Sequence, residues 1–172
     1  KIIDLAKEYF LKDLPENLSQ TACVLGHLRW FNVSLMRQLM PDVLGSDDGY
    51  YLKQINQLNR IGLTTWDIGR GAYRFTDQSV RKLLGRSYSI KNTVKSAQIH
   101  EKAYLNYARE TRYVEYLLDT IPEAIYHYLN WKLILGDSAE QAGASCLAWL
   151  ASKPYPEWLN AEPKNWRDVE DV

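Results

Sequence analysis

His27, His100 and His127, Cys23 and Cys146, and a run of amides and cations from Lys53 to Arg60 are the side chains of this 172-residue sequence whose types suit catalysis, metal binding or base reading. Imidazoles ligate metals and carry protons near neutral pH. These three fall in three separate helical segments, so no metal site is expected, and His127, inside IYHYLNW, is expected to pack among aromatics with local partners for its ring nitrogens. The cysteines lie far apart in apolar helical contexts, without a basic neighbour that would create a reactive thiolate. They read as two buried free thiols in a reducing, cytoplasmic setting. No GxxxxGK[ST] loop, no GxGxxG after a strand and no GxSxG elbow occurs, so the chain is expected to be non-catalytic and to hold no cofactor of its own.

Base reading has better material. The stretch DDGYYLKQINQLNR places Lys53, Gln54, Asn56, Gln57 and Arg60 on one predicted helix, with Arg70 in the turn that follows, and such side chains match base edges in a major groove. Against this, Asp47 and Asp48 sit at the helix start and the helix is formally neutral, whereas phosphate neutralisation supplies most non-specific affinity. DNA binding is therefore the alternative and not the leading expectation.

The elements that must hold these residues are mostly helical. Apolar spacing predicts helices over 1–12, over a segment opened by Pro15 and ending near Arg29, over 33–40 with Asn32 as N-cap, and over 47–61. The last has Leu52, Ile55, Leu58 and Ile61 as its inner face and Gly62 as its stop. The period then changes to two: LTTW and AYRF, flanking DIGRG, read as a short antiparallel hairpin. In AYRF, Ala72 and Arg74 share one face and Tyr73 and Phe75 the other. A helix over 77–85 is expected to be capped by Thr76 or Asp77, with Asp77 paired to Arg81 four residues on. Helices over 91–111, from 113 to a break at Pro122, from Pro122 onward, and from Asp137 or Ser138 to 152 complete the pattern. Val94, Ala97, Ile99, Ala103, Tyr104, Tyr107 and Ala108 form the inner stripe of the 91–111 helix.

The expected fold is mainly α: a winged helix, meaning three helices plus a short β-hairpin, followed by an antiparallel helical bundle or TPR-like helical pairs. Its divisions are 1–86, with an N-terminal helix before the winged-helix domain, 87–152 for the bundle, and 153–172 for a Pro/Trp-rich tail. No run is apolar and long enough to suggest a membrane span. The chain starts without Met in helix-like sequence, which reads as part of a longer polypeptide.

Twenty-one Lys/Arg balance twenty-one Asp/Glu, yet residues 71–112 carry nine against three and residues 113–172 four against ten. The basic middle, with Arg74, Arg86, Lys91 and Lys95, and the tail tryptophans Trp158 and Trp166 are the candidate partner surface.

The segments LPENLSQTACVLGHLRWFNVSLMRQL, YYLKQINQLNRIGLTTW, YRFTDQSVRKLL and IPEAIYHYLNWKL resemble the winged-helix and helical-repeat region that follows the ATPase core of STAND-type signalling NTPases, the group with NB-ARC and NACHT domains. The resemblance spans about residues 14–130. Many members carry Met-His-Asp where this chain has Phe75-Thr76-Asp77, followed by Val80-Arg81. It implies a corner of Thr76, Asp77 and Arg81 turned toward the nucleotide of a separate P-loop domain, where Thr76 offers a hydroxyl in place of the family's imidazole. It further implies a non-catalytic regulatory module whose partners are the ATPase domain of the same polypeptide and an effector or sensor domain, with ATP or ADP bound only in that ATPase domain. A helical-repeat scaffold for protein binding is a third reading.

Overall fold

The computed structural model describes residues 9–40, 48–110 and 117–152. Residues 9–11 are helical, and α1 (Glu16–Leu25) follows. Pro15 stands at its N-cap with extended backbone, one place earlier than expected, and the helix ends at Gly26. Asn32 caps α2 (Val33–Leu39) by accepting from the Leu35 amide at 2.8 Å. The Asn32 side chain thereby satisfies an amide that would otherwise be an orphan donor, whereas Pro15 makes no side-chain bond to its helix.

α3 (Asp48–Arg60) ends where Gly62 takes a φ of 73°, a left-handed value that suits glycine. Its buried side is Tyr51, Gln54, Ile55 and Leu58. Leu52 and Ile61, expected inside, are 43% and 52% exposed. Tyr51 displaces them: its hydroxyl donates to the Met40 carbonyl at 2.6 Å, which rotates the helix toward α2.

Strands β1 (Thr64–Asp67) and β2 (Ala72–Phe75) pair antiparallel, with Thr64 opposite Phe75 and Trp66 opposite Tyr73. Phe31 extends the ladder through two backbone bonds to Tyr73, of 2.9 and 2.8 Å. Its ring also meets Tyr73 and Phe75, so the Tyr73/Phe75 face is the inner one. Fully burying a ring such as Phe31 or Phe75 contributes about 1.5–3 kcal/mol, enough to hold a hairpin too short to stand alone.

Asp77 caps α4 (Gln78–Lys91), accepting from the Ser79 and Val80 amides at 2.6 and 3.3 Å. The helix continues well past the expected end at 85. It crosses α1 at a backbone-to-backbone contact: a Cβ at Gly85 would lie 2.7 Å from the Gly26 carbonyl oxygen. Two glycines make that approach available.

α5 (Thr93–Glu110) and α6 (Leu117–Ile134) form a hairpin of opposite direction, since Val94 and Ala97 lie by Trp131 and Leu135, His100 by His127, and Tyr107 by Thr120 and Glu123. Pro122 does not break α6 as expected. It removes one amide from the helix, while packing along α5 holds the turns on both sides in register. Val94, assigned to the inner stripe, is 72% exposed at the helix start, on the rim of a shallow open groove with Trp131 and Leu135. Ser138 and Gln141 form a reciprocal capping box for α7 (Ala139–Ala151), whose Trp149 stacks on Tyr128.

The fold is thus mainly helical with one two-stranded hairpin, and its buried cluster runs from Leu11 and Leu25 through Phe31, Ile55 and Phe75 to Leu84, Ile99, Tyr107 and Ala124. Cys23 and Cys146 are buried, and neither is in a disulfide. Among the described residues no helix is long and apolar enough to cross a membrane.

Candidate functional site

The turn between β1 and β2 is short, and it throws Arg70 back onto the helices and not outward. Its guanidinium lies 4.6 Å from the Trp30 ring centroid, 3.6 Å from an Asp119 oxygen and 3.9 Å from Glu123 Oε1. Arg29 grips the same carboxylate through both oxygens, at 3.0 and 3.1 Å, and also donates to the Pro122 carbonyl while covering the Tyr126 ring at 4.6 Å. Glu123 is 2% exposed, and burial raises its pKa although Arg29 and Arg70 pull it down. The result is a clasp: one buried carboxylate on α6 between two arginines, one following α1 and the other on the hairpin. Beside it opens a cleft of about 420 Å³ walled by Trp30, Asn32, Tyr107 and Thr120.

Behind the clasp the three histidines meet. His27 Nδ1 lies 3.1 Å from the Val24 carbonyl, which only accepts, so that nitrogen carries the proton. Its Nε2 then accepts from a hydroxyl, with Ser89 at 3.0 Å and Ser96 at 3.1 Å. Ser89 also lies 3.1 Å from the Gly85 carbonyl, to which it donates, leaving Ser96 as the donor to the ring. His100 and His127 face each other Nδ1 to Nδ1 at 2.8 Å, a contact that holds one proton. A second would set two N–H groups head to head. Burial lowers all three pKa values, His100 to about 3 and His127 well below its usual range; Arg81 adds to the effect at each, neighbouring imidazoles add to it at His100 and His127, and backbone hydrogen bonds oppose it at His27.

The histidines thus converge from separate segments, contrary to the expectation of local partners, although Tyr107 stacks on His127 as an aromatic neighbour should. Glu123 stands one helical turn before His127, a spacing the sequence reading passed over; it serves the arginines instead. Among the described residues no group of three His, Cys, Asp or Glu side chains has metal-binding geometry.

The corner residues separate. Thr76 and Asp77 are exposed, while Arg81 is 4% exposed and turns inward to Gln78 Oε1 at 2.7 Å, the Gly26 carbonyl and the Tyr126 hydroxyl, both at 3.4 Å. The expected Asp77–Arg81 pair is absent because Asp77 is spent on amides and Arg81 on the core. On α3, Lys53, Asn56 and Arg60 are exposed and Gln57 is half-buried, all along one shallow groove. Gln54, 3% exposed, is withdrawn from any such surface, as Arg70 is by the clasp. Arg86, Lys91 and Lys95 are exposed; Arg74 lies over Trp30 at 5.4 Å and pairs with Asp67 at 3.4 Å. Trp158 and Trp166 lie outside the described residues.

Comparison with family models, curated proteins and solved structures returned no match.

Proposed function

We propose that this chain is a non-catalytic protein-interaction module, and that it serves as the winged-helix and helical-pair region of a STAND-type signalling ATPase. The observation that carries the interaction reading is Arg70. A hairpin that gripped a duplex would present its tip cation to phosphate, whereas this one lends its cation to Glu123 and Asp119 on α6. The hairpin is an internal fastener between the α1–α4 region and the α5–α6 hairpin, and a contact of that kind is what a regulatory module changes between two arrangements. The order of helices, hairpin and capped α4 supports the STAND setting, with Asp77 exposed at the strand-to-helix corner and Arg81 acting on the core in place of a nucleotide.

A DNA-binding reading retains one favourable feature, the exposed Lys53, Asn56 and Arg60 on α3. Titration with mixed-sequence duplex across a salt series separates the two. The interaction reading expects no binding even at low salt; tight binding that falls steeply with salt and weakens in Lys53→Ala or Arg60→Ala overturns it. The STAND setting fails if the intact polypeptide encodes no P-loop ATPase ahead of Lys1.

A further inference from the structure

A second groove, of about 400 Å³, shares no lining residue with the cleft beside the clasp; α1 and α5 both line it, together with Leu39, Met40 and Tyr88. Each helix gives it one face at i, i+3, i+4, i+7 spacing: Asn17, Gln20, Thr21 and Val24 from α1, and Lys95, Gln98, Ile99 and Lys102 from α5. The floor is apolar, with Val24 and Leu39 each 8% and Ile99 5% exposed. The rim is polar and of one sign. Lys95 and Lys102 are exposed, pair with no carboxylate among the described residues, and the groove lining contains no acidic side chain. They belong to the stretch 71–112, where nine cations face three acids in sequence.

We propose that this groove is the docking site for an acidic amphipathic helix of a partner protein. Two exposed helix faces flanking an apolar floor are the setting in which a third helix lays its apolar side. The cations fix the charge pattern. Lys95 and Lys102 are seven residues apart, about 10.5 Å along α5, so the partner presents two carboxylates two turns apart with apolar residues between them. The amides of Asn17 and Gln20 face the opposite rim and accept or donate to the polar edge of the incoming helix. Charges at a rim act chiefly on selection and association rate.

The inference deepens the interaction reading by naming the partner's chemistry, and it rests on that reading. Selection of a random twelve-residue peptide library on the whole immobilised chain tests it. Enriched peptides should carry Asp or Glu bracketing apolar residues, and Lys95→Glu with Lys102→Glu should weaken the selected peptides about tenfold or more, while Lys53→Glu on α3 leaves them unchanged. Unchanged circular dichroism and melting of the double variant assign the loss to the surface. No enrichment, enrichment of neutral or basic peptides, or acidic peptides indifferent to Lys95 and Lys102 overturns the proposal. Salt-sensitive duplex binding on α3 with the groove still selecting acidic peptides would instead remove the interaction reading's case against DNA and leave the groove standing.

Discussion

At the residue scale, the clasp and the histidines are buried polar groups with opposite demands. Glu123 sits where water is excluded, burial favouring its neutral form and Arg29 and Arg70 its charged one, so its stability contribution depends on those two arginines. Removing the carboxylate leaves Arg29 with the Pro122 carbonyl and Arg70 with Asp119, so Glu123→Ala should lower unfolding free energy by about 1–3 kcal/mol in urea titration, and Arg70→Ala by less because it lies farther from Glu123 than Arg29 does. A loss under about 0.5 kcal/mol for Glu123→Ala would show the clasp to be ornamental. The histidines are held neutral, with folded pKa values below the unfolded value near 6.5. Their contribution is therefore complete above that value and is lost as pH falls through it toward the folded pKa, because the unfolded chain takes up protons first. The thermal midpoint should drop by at least about 4 °C between pH 7.5 and 5, and His100→Gln with His127→Gln should flatten that slope. Glu123, with its pKa raised, works in the opposite direction over the acidic end of the range, so the fall should be shallower there than the imidazoles alone would give.

At the scale of elements, glycines and caps set where helices cross and begin. The α1–α4 crossing depends on Gly26 and Gly85, whose added Cβ atoms would meet backbone at 2.5 and 2.7 Å. Backbone cannot swing aside as a side chain can, so Gly85→Ala should cost more than about 2 kcal/mol. Gly143, inside α7 with open space around its Cβ position, should behave in the opposite way, Gly143→Ala gaining about 0.5–1 kcal/mol from helix propensity. Both are read from chemical denaturation, and equal signs would refute the account. Asn32 was readable in advance as a cap, and Asp77 and Ser138 were each one of two candidates, beside Thr76 and Asp137, where polar residues precede apolar periodicity. Asp77→Ala should cost about 1 kcal/mol. Pro122 was misleading for a physical reason, since a proline penalty of about 3 kcal/mol forbids a helix only when tertiary packing offers less than that along the same turns.

For the whole molecule, one buried cluster draws on Leu25, Phe31 and Phe75 from the first half and on Ile99, Tyr107 and Ala124 from the second, and α4 runs uninterrupted through residue 86. A shared core implies shared unfolding. Far-ultraviolet and near-ultraviolet circular dichroism should follow one coincident thermal transition, the latter reporting the Tyr104, Tyr128, Trp131 and Trp149 cluster. Two resolved transitions would show that the α5–α7 helices melt independently and that the clasp joins separate units.

The hairpin, the pairing of Tyr73 with Phe75 on one face of it, and the neighbourhood of each cap were determined by sequence alone, because periodicity, glycine placement and capping chemistry act within a few residues. The exposed Lys53 and Arg60 and the buried cysteines followed from the same local patterns. Long-range geometry decided the rest. His27, His100 and His127 are separated by whole helices, and only the α5–α6 hairpin, with the turn after α1 laid on α5, brings them together. Arg70 read as a solvent-facing tip because nothing near it in sequence announced Asp119 and Glu123, and Arg81 read as a partner for Asp77 because the Gly26 carbonyl it reaches lies 55 residues away. Local chemistry fixes which residues belong to an element; which buried charges meet depends on how those elements cross.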